Sequence, residues 1–161
     1  MKFFAVIKSP AFYFASSQVL YLVLTTMLIT VGYIVTPVLF DQLSSKIAGD
    51  IAGILFQFSG YITLAFLVLL LIWQLTLKVK FSFSWPNILS FSIMLILLWW
   101  INPLMSEIKA KNPLGVTPNS ADWPLFASLH GAYQIGYLVV IIMLIWGVVK
   151  SAKALGLSMI K

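Results

Sequence analysis

"GYIVTPVLFDQLSSKIAGDIAGILF", residues 32–56, holds the turn on which the fold depends. Its two ends belong to long hydrophobic runs, and the polar break "DQLSSK" separates them. A hydrocarbon core of ~30 Å takes about 20 residues of helix to cross. Two such runs joined by so short a break therefore predict a helical hairpin that enters and leaves a membrane. Two further runs follow, giving expected spans over residues 17–40, 47–77, 85–105 and 123–149. The second is longer than a perpendicular span needs. It should tilt, bend near Gly53 or Gly60, or start outside the lipid at Lys46 and Asp50.

Composition agrees with this reading. The 161 residues are 61% hydrophobic and only 9% charged, against about 25% charged in soluble chains. The expected fold is an all-α integral membrane protein, a four-transmembrane-helix bundle forming one domain over residues 1–161. With no cysteine, thiolate metal sites, iron-sulfur clusters and thiol nucleophiles are excluded. The net charge of +6 comes from lysine without arginine, a poor match to nucleic-acid readers, which favour the guanidinium fork.

The lysines sort by membrane side. Lys2, Lys8, Lys78, Lys80, Lys150, Lys153 and Lys161 fall on one side without any acid. Lys46, Lys109 and Lys111 fall on the other with Asp41, Asp50, Glu107 and Asp122. The acid-free side should be cytoplasmic, which places both termini there in a multi-pass protein of a bacterial inner membrane. Tryptophan, which prefers interfaces, gives a second check: Trp73, Trp85 and Trp146 lie at the expected inner ends, Trp99, Trp100 and Trp123 at the outer ones. Residues 1–16 read as an amphipathic interfacial segment rather than a secretory signal, because Lys8 and Pro10 interrupt the apolar stretch.

Helix ends follow from local chemistry. Ser84 with Pro86 suits the start of the third helix, and Asp122 with Pro124 the start of the fourth. The Asn102-Pro103 step should draw Asn102 out of helical geometry. "TPVLF" reads as a kink and a turn, and "SEIKAKNPLGVTPNSAD" as a long solvated connector.

Polar residues inside the spans are few, so their placement matters. Thr26, Thr30, Tyr33 and Pro37 recur at helical spacing on the first span, and Gln57 and Tyr61 lie on the second. His130, Tyr133, Gln134 and Tyr137 share a face of the fourth, and Asn102 ends the third. These positions are expected to meet in the outer leaflet as a shallow polar pocket, while the inner half is expected to be aliphatic apart from residues such as Thr63. The plain alternative is mutual satisfaction by hydrogen bonds between helices. His130 is the sole histidine and the one ionisable residue expected within a span, which makes it a functional candidate. Ala48, Gly49, Ala52 and Gly53, with Gly32, Pro37, Gly60 and Gly131, are expected to serve helix packing.

Enzyme chemistry finds little footing. Asp122 and His130 are about 12 Å apart along one helix, too far for a relay, and no nucleophile motif accompanies them. Proton-coupled transport normally relies on intramembrane carboxylates, and none is expected mid-membrane here. His130 is a weak candidate haem or copper ligand, alone or with Met105.

The segment quoted above resembles the transmembrane protein 205-like family, whose bacterial members are grouped as a domain of unknown function. The resemblance rests on Gly32, the run Pro37 to Phe40, Ala48-Gly49, Gly53 and Leu55-Phe56, together with "FASLHG" around His130. It implies a four-helix membrane protein, distantly similar to copper-resistance and haem-pathway membrane proteins, without a settled activity. The expected function is non-enzymatic binding of a small molecule, lipid or partner helix in the outer pocket, with no cofactor. The alternatives are a haem or copper protein assisting redox chemistry or metal transfer, and a structural subunit or homo-oligomer within a larger membrane complex.

Overall fold

The protein was analysed as a computed structural model, which describes residues 9–159, with side chains described through Gly156. Lys2, Lys8 and Lys161 lie outside the described residues, as does the expected interfacial segment up to Lys8. Four helices make up the fold: α1 (Pro10–Gln42), α2 (Ser45–Thr76), α3 (Phe81–Lys111) and α4 (Trp123–Met159). All four are long and apolar enough to cross a membrane. There is no strand among the described residues.

α1 starts at Pro10 rather than near Ser17, and the local reason is a cap. Ser9 is extended, its hydroxyl accepts from the Phe12 N–H at 3.2 Å, and Pro10 occupies the first turn, where its missing N–H costs nothing. α2 ends in a Schellman motif. The Val79 N–H donates to the Gln74 carbonyl at 2.9 Å and the Lys78 N–H to that of Leu75 at 3.2 Å, with Lys78 held in the left-handed region at φ 51°. A non-glycine residue there carries a strain of about 1 kcal/mol.

Two π turns correct the expected helix ends. Thr30–Val35 and Leu97–Ile101 widen α1 and α3 just ahead of Pro37 and Pro103. A proline cannot donate to the previous turn and its ring presses on the carbonyl four residues back. Widening the turn relieves that clash, so neither helix stops. Asn102 keeps helical angles (φ −62°, ψ −44°), contrary to expectation, and α3 runs on to Lys111. Thr36 supports the first π turn by donating its hydroxyl to the Val31 carbonyl at 2.7 Å. The "TPVLF" turn likewise gives way to helix through Gln42. Of the expected connector, 106–122, only residues 112–122 are non-helical. It is braced by Asn112, which donates to the Ile108 carbonyl at 2.9 Å and the Asp122 carboxylate at 2.8 Å.

α4 packs most extensively on α1 and next on α3, and α2 closes the bundle against α3. Contacts between small and large residues fix the register. A Cβ on Gly147 would lie 2.9 Å from the Tyr21 ring, one on Gly136 2.9 Å from Leu97, and one on Gly60 2.9 Å from Leu98. The core between these contacts is Leu24, Leu28, Leu64, Leu67, Leu70, Met94, Leu97, Val140 and Leu144. Large apolar side chains such as Val19, Ile54, Phe58, Leu69 and Ile135 cover the outside, as a lipid-facing surface requires. The two ends are called the terminal end, with Lys78, Lys80, Lys150 and Lys153, and the loop end, with residues 43–44 and 112–122.

Candidate functional site

At the terminal end Lys150 donates to the Ser82 carbonyl, its ammonium 5.4 Å from the Trp85 ring centroid and 5.8 Å from that of Phe83. This is the arrangement of a lysine at a membrane interface. Counting along α4 from Lys150, His130 is twenty residues away, about 30 Å of helix rise. A bilayer with one boundary at Lys150 has its other at His130. Such a layer would place the histidine toward its loop-end face.

The side chains expected to converge at this end divide into two groups. Tyr133 and Tyr137 are buried and face the bundle. Phe56 meets them edge to face, with ring centroids 5.8 Å from Tyr133 and 4.9 Å from Tyr137. The Tyr137 hydroxyl donates to the Leu28 carbonyl at 3.0 Å. Gly32 makes this possible, since its absent Cβ would be 3.0 Å from the Tyr137 ring. The second group faces outward: Tyr33, Gln57, Tyr61, His130 and Gln134 are exposed, and Thr30 and Asn102 half-buried. Thr26 and Thr30 line an open groove on α1 with Leu22, Val23, Met27 and Val31.

The side-chain hydrogen bonds of the outward group run only along its own helices, while the Tyr61 ring meets Trp99 of α3 edge to face at 6.0 Å. His130 Nε2 and Gln134 Nε2 are 3.2 Å apart, and Gln57 donates to the Tyr61 hydroxyl at 3.4 Å. His130 also stacks on Phe126 at 6.0 Å and 13°. Such i,i+4 pairs leave hydrogen-bonding capacity on the outer surface.

Beside them is a charge cluster that sequence spacing did not reveal. Lys109, from the unforeseen end of α3, donates to the Gly49 carbonyl at 2.8 Å and lies 3.8 Å from Asp50, which Lys46 also contacts at 3.1 Å. Its charge is the one that bears on His130. Ala48 and Ala52 of "AGDIAG" are buried, while Gly49 and Gly53 face the Lys109 ammonium. Gly131 has nothing within 4 Å, and Pro37 is exposed. Gly136 and Gly147, the tightest contacts of α4, were not singled out in the sequence, although each lies on its periodic inner face.

The opposite half of the bundle departs from the aliphatic expectation. Ser17, Thr25, Gln74, Ser84, Asn87, Ser90 and Ser151 are all buried there. Ser84, Asn87 and Ser90 recur every three residues on α3, a signal that was legible in the sequence. No group of three or more His, Asp or Glu side chains converges among the described residues.

A family model described as a domain of unknown function, DUF4149, matches residues 19–113. The chain belongs to the DUF4149 family. The matched part of this DUF4149 protein spans most of α1, all of α2 and α3, and with them Tyr33, Gln57, Tyr61, Gln74, Asn87 and Lys109. The match ends before "FASLHG", so α4 and His130 lie beyond it. No curated protein and no solved structure matches the chain.

Proposed function

We propose that this DUF4149 protein is a non-enzymatic bundle of a bacterial inner membrane that holds the head of an amphipathic molecule, a lipid or a lipid-like compound, at its loop end. One observation carries this reading. Tyr33, Gln57, Tyr61, His130 and Gln134 present polar atoms outward in the loop-end half, with His130 near Lys109, and no hydrogen bond ties them across the bundle. Amphipathic and cationic side chains at that level suit a polar headgroup while lipid-facing Leu and Ile carry its chain. The likeness to transmembrane protein 205-like proteins is compatible with this and names no ligand.

Phosphatidylglycerol is the appropriate probe, titrated against the purified protein by native mass spectrometry. A cation near the membrane surface contributes ~1 kcal/mol, and a hydrogen bond to a headgroup a similar amount. Lys109→Ala and His130→Ala should each weaken retention about fivefold. Unchanged retention in the double variant would sink the site. A Soret band or stoichiometric copper in the same sample would replace this reading with the haem or copper one, and a fixed stoichiometry with other membrane proteins would favour a structural subunit.

The proposed orientation puts the termini in the cytoplasm, since Lys78, Lys80, Lys150 and Lys153 stand without acids at the terminal end. The cysteine-free chain makes the check simple. In intact spheroplasts, Asn119→Cys should react with a membrane-impermeant thiol reagent, and Lys153→Cys only after lysis. The reverse pattern would invert the topology.

A further inference from the structure

The polar side chains of the terminal half form a site that the loop-end reading does not use. Asn87 is fully buried between α2 and α3, and its Nδ2 donates to the Leu67 carbonyl at 3.3 Å and to Gln74 Oε1 at 3.5 Å. Tyr13 and Tyr21 of α1 approach Gln74 as well, but neither phenol hydrogen-bonds its Nε2. Ser90 is one turn along from Asn87, also fully buried.

Hydrogen bonding among these groups does not close. Gln74 Nε2, Asn87 Oδ1, Ser90 Oγ and, on α1, Thr25 Oγ1 are buried without a partner among the described residues. Exchanging N and O in the amides does not help. Turning Asn87 alone sets its oxygen against the Leu67 carbonyl, turning Gln74 alone sets two NH2 groups face to face, and turning both again loses Leu67. Buried polar atoms are paired in folded proteins, by protein or by ordered water.

The chemistry of the orphaned atoms selects the ligand. They offer a donor, an acceptor and two hydroxyls that can do either, with no charged side chain among them, so a bound ion would be left uncompensated. Water both donates and accepts, and needs two to four such partners. Leu67, Met94, Leu97 and Leu144 of the surrounding core are essentially inaccessible, and Ser17, Ser84 and Ser151 are buried in the same half.

We propose that the terminal half of the bundle is an internal hydration site in which ordered water bridges Gln74 Nε2, Asn87 Oδ1 and Ser90 Oγ, with Thr25 extending it on α1. The membrane layer is then dry in its loop-end half and wet inside the terminal half. The experiment is a water-selective rotating-frame Overhauser measurement on the full chain, labelled with 15N at Asn and Gln, in phosphatidylcholine nanodiscs. The side-chain NH2 protons of Gln74 and Asn87 should show cross-peaks at the water frequency, as those of Asn119 in the solvated loop must. Visible Gln74 and Asn87 amides lacking such peaks, beside a positive Asn119, would overturn the site. Ser90→Ala should strip most of the intensity from the Asn87 peak, and an undiminished peak would refute the shared geometry. The wild-type measurement stands even if that variant fails to fold.

Discussion

Replacing Tyr137 by alanine is expected to destabilise the bundle by about 3–5 kcal/mol, the range for truncating a buried aromatic. The ring is buried between Gly32, which has no side chain to fill the gap, and Phe56, whose edge it meets at 85°. Within a membrane the loss is mainly of packing, because lipid offers an exposed ring nearly the same environment as the core. The surrounding backbone is held by the α1 and α4 contact and has little room to collapse. Tyr137→Phe isolates the hydroxyl and should cost only about 1 kcal/mol, since the Leu28 carbonyl it bonds keeps its place in the helix. Reversible unfolding in mixed micelles would read both. A Tyr137→Ala cost below that of Tyr137→Phe would mean that the ring is not the spacer between α1 and α4.

The opposite kind of change is expected at Gly147. Three atoms of the Tyr21 ring would lie within 3.0 Å of any Cβ there. Tyr21 is itself buried, so the ring has nowhere to retreat. Gly147→Val should cost about 1–3 kcal/mol from overpacking and part the helices of the most extensive pair in the fold. Gly131→Ala is the control. With nothing within 4 Å of its Cβ, that change should stabilise by as much as ~1 kcal/mol through helix propensity. Equal effects at the two positions, measured in the same unfolding assay, would argue that neither glycine is there for close approach.

These residues also show what the sequence made legible. Hydropathy was enough for the four spans, because a lipid-facing helix must be apolar along its whole crossing. Their ends are hidden wherever proline reads as a stop: Pro37 and Pro103 sit behind widened turns, and the ends of α1 and α3 follow on. Missing the end of α3 meant missing Lys109, and with it the ion cluster beside His130. The loop-end polar residues were found individually, but periodicity alone does not say which faces of four helices meet. Tyr137 turned inward and Gln134 outward from the same stretch. The terminal-half cluster was overlooked for a different reason. Ser84, Asn87 and Ser90 are small and lie close to a helix start, where serine and asparagine usually read as caps, and Gln74 acquires its meaning only through Asn87 across the interface.

The two π turns carry a consequence for mutational tolerance. Each adds one residue to a single turn, which rotates everything beyond it by about 100° relative to an unbroken α-helix. The inward and outward positions of Thr36–Gln42 are therefore out of phase with those of Pro10–Ile29, and likewise Asn102–Lys111 with Phe81–Ile96. In a saturation scan, the repeating pattern of sensitive and indifferent positions should slip by one residue at each site. Pro37→Ala, by letting Thr30–Val35 close to a regular α-helix, should turn Asp41 by about 100°, and deleting one residue of that turn as well should restore its direction. The loop-end face can thus be re-aimed by closing one wide turn at unchanged length, while the apolar stem below it keeps its sequence.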